Sequence, residues 1–257
     1  MASDARRLQG LYWDRALYLV EGCAAVDEGC ANCWACSFAQ RWGNQSDLID
    51  AIRRRWSGLI RFRKDKLSLP ESVSLPTTWA VWNDLCQERV KEEFILSSLL
   101  SMLGCSRHTF LVLTKRIARL WDILDALETP WPDSAEHVWF GTSISRTSDS
   151  PSDLRLMQLA VGGCSYPRVF LSIAPMLGPV DISSLGRAAK SIDLIICECE
   201  SGPKRRKVKT KDLDNLIGQC LDFKIQLFIK QWDFTGHKII KTGELPVKYQ
   251  EFTKLPF

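Results

Sequence analysis

Four cysteines within fourteen residues constrain this chain more than any other feature: Cys23, Cys30, Cys33 and Cys36, separated by six, two and two residues. They follow the apolar run 17–20, which places them on a loop that leaves a strand and enters a helix. Thiolates are soft ligands suited to zinc and to iron–sulfur clusters, and so tight a set converges on one inorganic centre. Lone cysteines are ordinary small core residues; four at this spacing ask for a different explanation. Two kinds of centre satisfy it. All four thiols close a tetrahedral zinc site or supply a complete 4Fe–4S ligand set, with Cys36 as the possible fourth ligand. Cys23, Cys30 and Cys33 alone leave one iron open, as a cluster must if it is to hold a substrate or S-adenosylmethionine.

The setting of these thiols follows from the rest of the chain. The N-terminal residues 1–9 are polar, with Arg6 and Arg7, and lack the apolar core of a signal peptide. The ten cysteines are therefore expected in a reducing, cytoplasmic setting, where metal binding or burial is favoured over disulfides. No run approaches the roughly 18 apolar residues of a spanning helix, so no membrane role is expected. At 257 residues, 46% apolar and 25% charged, the chain suits a single α/β domain with a sizeable core.

A net charge of +4 is mild, but it is unevenly spread. Arg53, Arg54 and Arg55 are followed by Arg61, Arg63, Lys64 and Lys66, and a second run covers 204–211 with Lys204, Arg205 and Arg206. The first run interleaves with Trp56 and Phe62, the pattern of a phosphate-and-base surface. These residues are the candidate contacts to a nucleic acid.

Apolar runs rich in β-branched and aromatic residues predict strands at 14–21, 77–83, 108–114, 137–143, 167–173, 192–198 and 225–231. Helical spacing fits 33–43, 87–104, 116–127, 151–163, 184–189 and 211–222. Strand–helix alternation with nearly continuous apolar strands predicts a parallel sheet covered by helices and packed inside, a full or partial (β/α) TIM-like barrel of about six to seven strands. One domain covers 1–257, with an insertion at 44–76, helical in pattern over 47–57, and a tail at 233–257.

In such a barrel, chemistry gathers at the C-terminal strand ends. Those positions carry Asp84, Lys115, Ser143, Glu198, Glu200, Lys230 and Gln231. Charged groups closing apolar strands need partners or a ligand, so a polar cavity for cofactor or substrate is expected there. Cys197 and Cys199 share the opposite face of their strand from Glu198 and Glu200 and are expected in the core, as are Cys86, Cys105, Cys164 and Cys220. His108, His137 and His237 suggest no dyad or triad, and there is no Gly-x-Ser-x-Gly elbow or phosphate-cradling glycine loop.

With these residues assembled, the chain resembles the phage gene-product-37/gene-product-68 family, a domain of unknown function related to the radical-SAM superfamily. The likeness runs from Cys23 to Trp232. It is carried by Gly22-Cys23 with Gly29-Cys30-Ala31-Asn32-Cys33-Trp34-Ala35, by Asn83-Asp84-Leu85, and by Phe110 through Arg116. Further pieces are Phe170 through Pro175 with Leu177 through Asp181, Glu200-Ser201-Gly202-Pro203, and Lys230-Gln231-Trp232. The resemblance implies a partial barrel in which Cys23, Cys30 and Cys33 hold a 4Fe–4S cluster, S-adenosylmethionine sits on the unique iron, and a 5'-deoxyadenosyl radical modifies an unknown substrate, a nucleic acid or nucleotide among the possibilities. The chain departs from the family pattern at Ala174, Glu198-Cys199, Asp233 and Cys36. The alternative function is therefore a zinc- or cluster-stabilised protein that binds a nucleic acid or a partner without catalysis.

Overall fold

Seven apolar runs lie side by side, in chain order, in one sheet. The computed structural model describes residues 4–42, 45–162, 167–202, 204–234 and 236–257. The strands are β1 (Arg15–Leu17), β2 (Thr78–Val81), β3 (Thr109–Thr114), β4 (Val138–Ile144), β5 (Arg168–Ile173), β6 (Leu194–Glu198) and β7 (Gln226–Phe234). Each pairs in parallel with the next, and each overlaps its expected segment. An eighth strand, β8 (His237–Ile239), turns back antiparallel on β7. Among the described residues the hydrogen-bonded order starts at β1 and ends at β8, so the sheet is open rather than a closed ring.

A short helix, α1 (Asp4–Leu8), precedes the sheet. The crossovers contain α2 (Trp34–Trp42), α3 (Glu92–Leu103), α4 (Ile117–Asp125), α5 (Ser150–Gly162), a 3-10 segment at Ser183–Ser191, and α6 (Thr210–Phe223). A strand order that never reverses sends each crossover the same way, and right-handed crossovers then gather the helices on one face. Alternation along the strands follows. Phe110, Val112, Phe140, Leu171, Ile195 and Ile229 meet Leu99, Met102, Leu120, Leu159, Leu213 and Leu216 of the helices in the main core. The intervening residues Leu111, Trp139, Phe170, Leu194, Ile196 and Phe228 form a smaller core on the other face, packed against Leu255 and Phe257 of the chain end. Both faces are thus covered, which explains the unbroken apolar strands. Each fully buried Leu, Ile or Phe contributes about 1.5–3 kcal/mol.

Three expectations need correction. Residues 47–57 are not helical: a 3-10 turn at Ser46–Leu48 leads into a hairpin of Ile49–Asp50 and Arg55–Trp56. The Asp50 carboxylate accepts from the backbone N–H of Ile52 (3.0 Å) and Arg53 (2.9 Å), a local turn that competes with helix, and Arg54 adopts φ 51°. The helix expected from 87 begins at Glu92, because Gln87 N–H turns back to the Asp84 carbonyl (3.1 Å) and Val90 N–H to that of Gln87 (2.8 Å). The tail begins later than expected, since β7 runs to Phe234, and β8 is followed by α7 (Val247–Gln250), with Tyr249 buried and its ring stacked 5.3 Å from Phe234. Residue 163 of the expected fourth helix and Cys164 lie outside the described residues. Cys86, Cys105, Cys197, Cys199 and Cys220 are buried in the main core as expected.

Candidate functional site

The cysteine loop begins beyond β1, after a two-residue strand, Val20–Glu21, that pairs antiparallel with Arg61–Phe62 of the insertion. Gly22 has φ +83°, and a Cβ there would lie 2.2 Å from the Leu59 carbonyl oxygen. Glycine is what lets the insertion backbone pass this close. The Cys23 carbonyl then accepts from Gly58 N–H at 3.1 Å.

Asp27 anchors the middle of the loop. Its carboxylate accepts from Lys115 Nζ at the end of β3 and from Arg155 Nη2 on α5, each at 2.6 Å. All three side chains are largely buried, at 7%, 16% and 5% exposure for Asp27, Lys115 and Arg155. Burial alone would raise the Asp27 carboxyl pKa; the two cations outweigh it and hold the group below the usual carboxylate value. Glu28 pairs with Arg146 and Arg206, and Asn32 donates to Glu200 at 3.1 Å. The loop is thereby tied to the ends of β3, β4 and β6 at once.

So held, Cys23, Cys30 and Cys33 line one cavity of about 440 Å³. Cys36 does not. It is buried in a satellite cluster with Ala39, Leu48 and Trp56, against which Cys23 and Cys33 also pack, its Sγ donating to the Arg54 carbonyl (3.8 Å) and accepting from Gln40 (3.7 Å). Burial pushes the Cys23 thiol up to about 12, with Asp84 adding to the effect, and burial likewise raises Cys33. Both are protonated at neutral pH, so metal binding there must expel protons. Among the described residues no three His, Cys, Asp or Glu side chains are gathered tightly enough to hold an ion as they stand; the thiols share a wall without converging. Three thiols from one loop, with open space beside them, are a donor set whose chemistry fits an iron–sulfur cluster.

The strand ends supply the rest of the wall. Glu198 of β6 and Lys230 of β7 point into the cavity and pair at 2.7 Å. Burial would lower the Lys230 pKa, but the Glu198 carboxylate prevails and holds it raised. Ser143 lines the cavity, its hydroxyl 3.5 Å from the Ala174 carbonyl. Asp84 reaches the wall as a brace: it accepts from Thr114 Oγ1 (2.6 Å), Lys115 N (3.1 Å), Cys86 N (3.0 Å) and Arg116 Nη1 (2.7 Å). Lys115 is turned onto Asp27, and Glu200 accepts from the Arg206 backbone N–H at 2.8 Å. Gln231 is not in the wall. A register shift between Cys197 and Glu198 sets it opposite Glu198, and its amide donates to the Cys199 carbonyl (2.9 Å) and Ser201 Oγ (2.8 Å).

Sequence reasoning missed the Asp27–Lys115–Arg155 clamp and the aromatic wall of Tyr12, Trp13, Trp34, Trp56 and Trp82. The signals were there: an acid between two candidate ligands, an arginine beside Leu156 and Leu159 on an otherwise apolar helix face, and ten tryptophans.

The basic runs divide. Arg61 and Arg63 both pair with Glu21, at 2.7 and 2.6 Å, and further with Asp47 and Asp65. Arg205 pairs with Asp233, and Arg206 with Glu28 and Glu200. Trp56 is buried and Phe62 packs on Phe94 at 4.9 Å, so neither offers an outer stacking surface between the arginines, contrary to expectation. Arg53, Arg54, Arg55 and Lys204 are exposed.

The family model described as "Protein of unknown function (DUF5131)" matches residues 11–247. A comparison with curated proteins finds no match. Among solved structures, a spore photoproduct lyase variant with bound AdoMet and a dinucleoside spore photoproduct overlaps at a TM-score of 0.45 and 16% identity, over 93% of this chain and 71% of that one. That overlap is too loose to assign a fold or an activity.

Proposed function

We propose, for a chain that belongs to the DUF5131 family, that the cavity is the reaction chamber of a radical-SAM-like iron–sulfur enzyme. Cys23, Cys30 and Cys33 would hold a 4Fe–4S cluster, with S-adenosylmethionine in the space beside it and Cys36 left out. Such a pair supplies one-electron cleavage of a sulfonium and with it a hydrogen-abstracting radical. The open parallel sheet, with helices gathered on one face, would serve as the partial barrel.

The chain's own residues have three tasks. Asp27, clamped by Lys115 and Arg155, fixes the loop that carries the thiols. Glu198 and Lys230 offer a carboxylate and an ammonium to a polar ligand, which can exchange partners with them without a change in net charge. The aromatic wall keeps water away from the reacting centre.

One observation carries this reading: Cys23, Cys30 and Cys33 line the same cavity, while Cys36 does not line it and has its Sγ held by the Arg54 carbonyl and the Gln40 amide. That arrangement favours an open three-thiolate cluster over a four-thiolate zinc site. Anaerobic reconstitution with iron and sulfide tests it. About four irons per chain and a broad absorbance near about 400 nm are expected, kept in Cys36→Ser and lost in Cys33→Ser, with 5'-deoxyadenosine formed once reductant and S-adenosylmethionine are added. About one zinc per chain, no chromophore, and metal lost in Cys36→Ser would overturn it.

A further inference from the structure

Beside the thiols, the wall of the cavity is aromatic. Trp13, Trp34 and Trp82 all line it, and Trp82 is the hub: Trp34, Tyr18 and Trp13 meet it edge-on with ring centroids at 4.4, 4.9 and 5.2 Å. Phe38, one turn along α2 from Trp34, reaches it at 6.4 Å. Two of these rings stand at the surface, Trp34 at 41% exposure and Phe38 at 46%. Arg41, also exposed, continues the same helical face at the i, i+4, i+7 spacing.

The Ile49–Trp56 hairpin packs against this helix. Trp56 lines the cavity, and the Arg54 carbonyl accepts from Cys36 Sγ on α2. Its tip presents Arg53, Arg54 and Arg55 to solvent, with Asp50 as the nearby carboxylate, 3.8 Å from Arg53. The arginines at 61, 63, 205 and 206 have their charge met by carboxylates; the hairpin carries a local surplus of about two positive charges on simple counting of formal charges.

We propose that this wall binds a single-stranded nucleic acid, with one base entering against the indoles of Trp34 and Trp82 and the backbone crossing the arginine hairpin. Aromatic rings stack on any base, and arginines beside them neutralise the phosphates. A purely apolar partner would meet Arg41 and the hairpin charges, whereas a strand presents flat rings and negative charge together. The inference names the substrate class of the chamber described above and rests on that reading for its purpose; its test needs no iron.

The test is fluorescence anisotropy of a fluorescein-labelled single-stranded decamer, oligo-dT in one arm and oligo-U in the other, titrated with the full chain at several salt concentrations, with and without reconstitution. Saturable binding of either strand is expected, weaker for a duplex of the same length. The log–log salt slope should be near about −2 for three phosphate contacts. Trp34→Ala should weaken binding roughly tenfold, and Arg53→Ser with Arg55→Ser should flatten the slope by about 1.4. Both changes are at the surface, and a thermal melt of each variant checks that the fold is kept. Absence of binding, duplex binding as tight as single strand, or affinity indifferent to both variants overturns the proposal. Iron uptake without strand binding defeats this inference alone; strand binding without iron uptake defeats the enzymatic reading alone.

Discussion

Replacing Asp27 with alanine removes the partner of two buried cations at once. Lys115 and Arg155 would be left 16% and 5% exposed with that carboxylate gone, and the Arg155 Nε and Nη1 groups have no hydrogen-bond partner among the described residues. Breaking a buried ion pair from one side costs about 3–5 kcal/mol. The two pairs share one carboxylate, so their losses do not add, and the same range applies to the whole clamp. In a chain of this length about 2–4 °C is lost per kcal/mol, so Asp27→Ala should melt roughly 6–20 °C lower. Glu244→Ala, which breaks the exposed pair with Lys241, should move the melt by no more than a few degrees, since such pairs are worth about 0–1 kcal/mol. Calorimetry gives the totals, and native-state hydrogen exchange gives the location, with protection lost first over residues 22–33. A drop under about 2 °C for Asp27→Ala, or exchange that rises evenly across the sheet, would refute the clamp.

The remaining predictions concern the same loop and cavity. Gly22→Ala meets both a φ of +83° and the Leu59 carbonyl at 2.2 Å; it should cost at least about 1–2 kcal/mol and speed alkylation of Cys23, read by mass spectrometry. Asp27 and Glu200 have folded-state pKa values below their usual ones. Their contribution is therefore complete above the unfolded carboxylate values of about 4 and is lost as pH falls through the lowered ones; Asp27→Asn should flatten acid unfolding measured by circular dichroism. Lys230→Met leaves Glu198 buried without its cation and should destabilise by about 3–5 kcal/mol, a loss largely recovered when Glu198→Gln is added, as a double-mutant cycle in urea would show. Stripping iron from reconstituted protein should raise hydrogen exchange over 22–33 while the sheet keeps its protection.

The sheet was legible because each strand is an apolar run bounded by polar residues, and two-sided burial leaves that mark whatever the tertiary detail. The hairpin at 49–56 was not, since the apolar spacing of Leu48, Ile49, Ile52 and Trp56 imitates a helix; the side chain of Asp50 decides the matter by taking two backbone N–H groups. The same contrast holds at the site. Cys23, Cys30 and Cys33 declared themselves by spacing, and Glu198 and Lys230 by ending apolar strands. Gln231 sits between Lys230 and Trp232 and looked equivalent, but its amide is taken up by the Cys199 carbonyl and Ser201 Oγ, and it does not line the cavity. Asp27 and Arg155 lie 128 positions apart, and no local pattern announces a pair that only the fold brings together.

The partners that seat the cysteine loop come late in the chain: Arg155, Glu200 and Arg206 stand 128, 168 and 178 positions beyond the loop residues they hold. During synthesis the thiols leave the ribosome before these partners and wait without them until the chain has grown past Arg206. If the loop carries an inorganic centre as proposed, loading would belong after that point, and a nascent chain stalled before residue 200 would present its sulfurs to any soft cation or oxidant at hand.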